Sequence, residues 1–292
     1  MWRSGVSSRE RPTVTRVEEE GRGDEGIYLF CFARREVLSG IAGPGIDEQS
    51  PVSLGAFREV VAVLSRAPLG AFCGPSGEAH LRDLAWVGPR ACRHEEVIER
   101  AMRCSPVFPA RFGTLFSSVE RLERLIEAHY DTVSGFLDSM IDKEEWGVKG
   151  LLCEAEAERH LLAPPSALPP SPGARYLLER GRRAEADRRL RSWVEAVGAS
   201  VAEDLQGRAV ACRGLRAVPR DVSGRDAHVA FNLAFLLLRS AREAFRLRVE
   251  QLSAEHASRG LTLELSGPWP PYSFCPSLDP LAGAPREANA SA

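Results

Sequence analysis

Between Pro106 and Gly150 the spacing of apolar residues changes period twice. In PVFPARFGTLF, Phe108, Ala110 and Phe112 alternate with Val107, Pro109 and Arg111, the two-residue period of a strand. Val119, Leu122, Ile126, Tyr130, Val133, Leu137 and Met140 then step by three and four, one face of a helix. Trp146, Val148 and Leu152 next alternate against Glu145, Lys149 and Leu151, predicting a second strand. Ser117 and Glu120 have capping-box spacing at the helix start, and Glu120 precedes Arg124 by one helical turn. Pro109 cannot donate to a β-ladder, so its strand is predicted at a sheet edge or a bulge. Nothing in this stretch carries chemistry; it specifies a shape.

The same reading extends to both sides. Ile27 to Phe32 is apolar on both faces and predicts a central strand, and β-branched Glu59 to Leu64 a second one. His94, Val97, Ile98, Ala101 and Met102 share a helix face. Over residues 26–153 the predicted order is strand, strand, helix, strand, helix, strand: a helix-backed antiparallel sheet, ferredoxin-like in spirit. The Pro-rich APPSALPPSPG then predicts a linker. Beyond it, Leu190, Trp193, Val194, Val197, Val201 and Leu205 define a helix, and Gln206 to Val218 can supply a strand. His228 to Leu238 reads as strand, with helix open as an alternative for so apolar a run. Ala241, Phe245, Val249 and Leu252 mark a helix that Gly260 can end, and Leu261, Leu263 and Leu265 alternate as a last strand. The expected fold is α+β with two domains, each a mainly antiparallel sheet backed by helices. The expected boundaries are a disordered extension 1–24, a domain 25–154, a linker 155–173, a domain 174–275 and a tail 276–292. Within the second, SGPWPPYSF (Ser266 to Phe274) is held extended by its prolines and offers Trp269, Tyr272 and Phe274 for docking onto this protein or onto a partner.

Composition narrows the function. A formal charge of -2 over 292 residues gives no global reason to expect nucleic acid or an anionic membrane. The seven cysteines show no CxxC spacing and lie among apolar neighbours, as reduced thiols in a cytosolic protein do. No signal-peptide core or membrane-length apolar run occurs, and the expectation is a soluble cytosolic protein. GIAGPG at 40–45 lacks phosphate-loop spacing, and no Gly-Lys-Ser/Thr follows it. His94-Glu95-Glu96 begins like a zinc H-E-x-x-H motif, but Ile98 stands where the second histidine is required, so His94 reads as packed on a helix face. No catalytic, metal or cofactor-binding residue is assigned. Arg180, Arg182, Arg183, Arg188, Arg189 and Arg191 form the densest basic run, diluted by Glu179, Glu185 and Asp187, and read as a solvated helix face.

Several of these stretches, in this order, resemble the gas vesicle protein F/L (GvpL/GvpF) family. They are His94 with Val97, PVFPARFGTLF, EEWGVKG, RYLLERGRR at 175–183, FNLAFLLLR at 231–239 and SGPWPPYSF. The resemblance implies a two-domain, non-enzymatic protein of the cytoplasm and the gas vesicle. It further implies contact with the small hydrophobic (GvpA-type) shell protein, and with other accessory proteins, in vesicle assembly. No cofactor, nucleic acid, membrane or small-molecule substrate is expected. The chain departs from the family in its N-terminal extension, its Pro-rich linker and its cysteine-containing tail. Candidate partner-contact residues are Phe108, Arg111, Phe112, Trp146, Lys149, Trp269, Tyr272 and Phe274. Two readings of other classes stand beside this one: an enzyme whose site is assembled only in space, and a nucleic-acid-binding regulator resting on Arg180 to Arg191.

Overall fold

The computed structural model describes residues 25–35, 41–161, 171–216 and 228–278. The expected extension 1–24, residues 162–170 of the expected linker and most of the expected tail lie outside them. The chain divides into two compact units, Met1–Ile141 with Pro270–Ala292 and Asp142–Trp269.

The first unit begins with β1 (Glu25–Arg34), β2 (Ser53–Phe57) and β3 (Val60–Pro68). Helices α1 (Leu69–Phe72), α2 (Gly74–Arg82) and α3 (Leu84–Met102) follow. The short strands β4 (Val107–Pro109) and β5 (Leu115–Phe116) lead into α4 (Val119–Ser139). The sheet runs β2-β3-β1-β4, with β5 also paired to β1. β1 is therefore the central strand, buried along nearly its whole length, which its uniformly apolar sequence requires. β4 lies at the edge with Pro109 opposite Cys31, where a missing N–H costs no ladder bond. Tyr28, Phe30 and Val63 of the sheet pack with Val97 and Ile98 of α3, and Phe108 packs against Phe32 and against Phe136 of α4. Leu122, Ile126, Val133, Leu137 and Met140 are buried as their spacing predicts, together with Phe136, which that spacing omits. The helix is capped by Ser118 rather than Ser117, and no side-chain cap bond forms there.

The second unit contains β6 (Lys143–Leu152), α5 (Glu154–Leu161), α6 (Pro172–Gln206), β7 (Ala211–Leu215), β8 (His228–Leu238), α7 (Arg242–Ala257) and β9 (Leu261–Trp269). All its strand pairs are antiparallel, in the order β7-β8-β6-β9. With α6 and α7 as the crossovers, this is the split β-α-β-β-α-β arrangement of ferredoxin-like folds. The sequence reading gives that character to the first domain and ends that domain at residue 154. The structure instead places Lys143–Leu152 at the centre of the second sheet, paired with β8 on one side and β9 on the other. A Pro-rich composition says that a stretch cannot build a core; it carries no information on where strand pairing ends. α5 and the start of α6 likewise reach into the stretch expected as linker. His228–Leu238 is strand, as read, and Val148, Leu152, Val197, Val201, Phe235, Phe245 and Val249 fill the core beneath the sheet.

Candidate partner-binding surface

Two places in the fold gather the residues singled out by sequence. In the first unit, β1 positions Tyr28, α3 positions His94 and Glu95, and the chain beyond β4 turns back at Gly113, whose φ of +83° suits glycine. The Gly113 N–H donates to the Tyr28 hydroxyl (3.1 Å). The other Tyr28 contact is to His94 Nδ1 (2.9 Å), and His94 Nε2 faces the Ala110 carbonyl (3.1 Å). A carbonyl can only accept, so the proton sits on Nε2 and Nδ1 accepts from Tyr28. The imidazole stacks on Phe30 and meets Phe112 edge-on. Burial in this apolar setting pushes the histidine down to about 4 from its ordinary 6.5, and pushes the Tyr28 phenol up. With both ring nitrogens committed, His94 is a satisfied core histidine.

The same neighbourhood receives the C-terminal segment. Tyr272 packs against this core, and its hydroxyl donates to Glu95 Oε1 (2.9 Å). Glu95 Oε2 is buried without a hydrogen-bond partner, and burial raises the carboxyl above its usual range while the Tyr272 bond opposes that shift. Phe108 and Phe112 are thus parts of the packed interior, Tyr272 is docked on it, and Phe274 is half-buried. Arg111 is exposed in a turn closed by the Thr114 N–H on its carbonyl (3.1 Å).

In the second unit, Trp146 lies on the helix-facing side of β6 with Val148 and Leu152. It forms one end of an open groove of about 600 Å³ between α7 and β9. Val249, Ala254, Ala257, Leu263 and Leu265 line the groove, with Arg246, Glu250 and Ser253 beside them. Among the described residues β9 is an edge strand partnered by β6 alone, and part of its outer side is met by α7 where the Leu263 N–H donates to Ser253 Oγ (2.9 Å). The Arg246–Glu250 ion pair flanks the groove, and the Trp146 indole N–H is held by Glu144 (3.2 Å).

Trp269 pairs across from Glu145 and Lys149 across from Glu264, so both lie on the sheet face opposite Trp146. A Cβ built on Gly147 would stand 3.8 Å from the Trp269 indole nitrogen, which agrees with that placement. Trp269 is 42% exposed. The eight candidate residues therefore divide among a core with the segment docked on it, an exposed turn (Arg111), a groove and an opposite sheet face. Sequence reasoning misses the groove itself, although the alternation puts Leu263 and Leu265 on one strand face. The overlooked feature is Ala254 and Ala257, three residues apart on α7, whose small side chains leave the space. Among the described residues, no three His, Cys, Asp or Glu side chains converge as a metal site requires, and no helix is long and apolar enough to cross a membrane.

The fold is an α+β pair of units, the second carrying an open, largely apolar groove between a helix and an edge strand. The sequence model of the family described as gas vesicle synthesis protein GvpL/GvpF matches residues 26–276, and the chain belongs to that family. It is 29% identical over 234 residues to gas vesicle protein L of Streptomyces sp. (strain CB03234), covering 79% of this chain and 85% of that protein. It is 27% identical over 259 residues to gas vesicle protein F of the same organism, covering 85% of this chain and 98% of that protein. The fold matches the crystal structure of gas vesicle protein GvpF from Anabaena sp. PCC7120 with a TM-score of 0.67 at 16% identity, over 87% of this chain and 97% of that one. A second match is GvpF from Microcystis aeruginosa, with a TM-score of 0.61 at 16% identity, over 86% and 99% of the two chains.

Proposed function

We propose that this gas vesicle protein is a non-catalytic accessory or minor structural component that holds the small apolar shell protein during vesicle assembly, in the cytoplasm and at the vesicle. A wall that excludes water carries apolar surface, so its free subunit is an aggregation hazard that a holding protein would cover. The observation that supports this reading is the open groove between α7 and β9, apolar in lining and beside an edge strand. Such a groove suits an amphipathic helix laid into it, and the adjoining edge suits an added strand. Trp269 and Lys149, on the opposite sheet face, and exposed Arg111 are secondary contact candidates.

Co-expression with the host's small shell protein tests the reading. A soluble complex is expected, with the shell protein precipitating when produced alone. Ala254→Arg, which puts a bulky charge into the groove from an exposed helix position, is expected to abolish co-purification while the unfolding midpoint stays near that of the parent. An unaltered complex in that variant would remove the groove from the proposal. A shell protein equally soluble, or equally insoluble, with and without this protein would end the holding role.

A further inference from the structure

Helix α6 spans 35 residues, a length of roughly 52 Å. Its first buried side chain is Ala186, followed by Leu190, Val197, Val201 and Leu205. The preceding 14 or so residues, about four turns, carry helical backbone with no buried side chain among those described. Here Tyr176 is 62% exposed, Leu177 68% and Leu178 38%. A Cβ built on Gly181, one turn beyond Leu177, would meet nothing within 4 Å, so this side of the helix is open. A segment this short is marginal as helix in water on its own, and an interior glycine weakens it further. Three adjacent large apolar side chains on such a segment call for a cover.

The charge around them decides what kind. Residues 175–183 hold four arginines (Arg175, Arg180, Arg182, Arg183) against one glutamate (Glu179), a net charge of +3. Pairing the same segments of two copies would bring like charges together, which disfavours a second copy as the occupant. A nucleic acid would welcome the arginines but offers nothing to Leu177 and Leu178. We propose that the first four turns of α6 are a docking arm for a protein surface that presents an apolar groove rimmed by carboxylates. Leu177, with Gly181 one turn beyond it on the same face, would enter the groove, and Tyr176 and Leu178 would meet its two walls about 100° to either side. Arg180 and Arg183 would reach the rim beside Tyr176, a helix-in-groove mode with charge-steered encounter. This use of RYLLERGRR is separate from the α7–β9 groove; only the choice of probes below rests on the gas vesicle reading.

The test titrates fluorescently labelled full-length protein with each acidic gas vesicle accessory protein of the same host, purified singly, at low and high salt. At least one is expected to bind. Leu177→Asp, at an exposed position that folding does not need, should weaken that binding about tenfold or more. Arg180→Glu combined with Arg183→Glu should remove most of its salt dependence. The inference is overturned if no acidic accessory protein binds, or if binding survives these changes. It is equally overturned if the variants alter only the sedimentation of the protein by itself, or only its binding to duplex DNA. Co-purification of the shell protein is expected to survive Leu177→Asp. Loss of shell binding in the parent protein with arm binding intact would sink the holding role and leave the arm, and the converse result would do the reverse.

Discussion

The Tyr28 hydroxyl donates to Nδ1 of His94 across 66 residues of sequence, at 2.9 Å, in the interior of the first unit. The same hydroxyl accepts from the Gly113 backbone and the same imidazole donates to the Ala110 carbonyl. Two buried side chains thus tie β1, α3 and the turn after β4 together with every polar atom satisfied. A buried network is stabilising only when complete, because each orphaned member carries its full desolvation cost.

The first consequence is a pH dependence of stability. His94 is held neutral, at about 4 in the folded protein against an ordinary 6.5. Between these values the unfolded chain binds a proton that the folded chain refuses, so lowering the pH favours unfolding. Stability is complete above pH 6.5, falls through the window down to about 4 and levels off below it for this group. The whole loss amounts to roughly 3 kcal/mol. Glu95, whose carboxyl is raised by burial, works in the opposite sense over part of that range. His94→Gln separates the two, since an amide can donate to Ala110 and accept from Tyr28 without titrating. Urea midpoints between pH 4 and 7 are expected to slope less steeply in the variant; equal slopes would assign the pH effect to another group.

Tyr28→Phe probes the network itself. The ring and its contacts with Phe30 and Phe72 remain, while the Gly113 N–H and His94 Nδ1 both lose a partner. A loss of about 1–3 kcal/mol in unfolding free energy is expected from the stranded groups. His94 should also titrate closer to its ordinary value if water enters the vacated space, which imidazole NMR signals would report. A variant as stable as the parent would mean that the hydroxyl adds nothing net.

Much of this architecture was legible, and the reasons differ from place to place. Leu122, Ile126, Val133 and Leu137 are buried because a helix repeats every 3.6 residues, which sequence spacing records directly. Pro109 sits on an edge because its missing N–H excludes it from a central strand. His94 could be assigned to a packed helix face, yet its partner Tyr28 could not be named, since no local rule links residues that far apart. The membership of β6 failed for the same reason. Trp146 pairs with Phe235 and Val148 with Leu233, long-range choices to which the Pro-rich segment between them is blind. Of the candidate contact residues, aromatic character alone could not tell Phe108, in the core, from Trp269, at the surface.

Gly150 offers a sharper test of the second unit. Phe231 of β8 crowds it: a Cβ there would stand 2.4 Å from the phenyl ring, and one on Gly198 of α6 would stand 3.2 Å from the same ring. The sheet and α6 approach closely around Phe231 because neither glycine has a side chain. Gly150→Ala is expected to cost about 1–3 kcal/mol through overpacking. With Phe231→Leu in the background the same substitution should cost less, so the double-mutant cycle should be non-additive by more than about 0.5 kcal/mol. Additive urea midpoints would show that the backbone accommodates the methyl group by other means.

Tyr272 and Trp269 lie three residues apart in one aromatic stretch, and the structure gives them different work. Tyr272 packs on the first unit's core and donates to Glu95, a carboxylate whose second oxygen is already buried without a partner. Tyr272→Phe removes the one hydrogen bond assigned to that carboxyl, and a loss of about 1–2 kcal/mol is expected. That bond also opposes the upward push of burial on Glu95, so its removal should raise the carboxyl further, visible as a titration shift in carboxyl carbon NMR. Trp269 is 42% exposed, its indole N–H turned to Ser266 Oγ (3.1 Å) at the end of an edge strand. Trp269→Ala is expected to change stability by no more than about 0.5 kcal/mol. Should the tryptophan serve as a partner contact, its effect will emerge in binding to the shell protein, where the tyrosine variant at permissive pH is neutral. Equal destabilisation by the two substitutions would contradict this division, because it would require Trp269 to be packed as tightly as Tyr272.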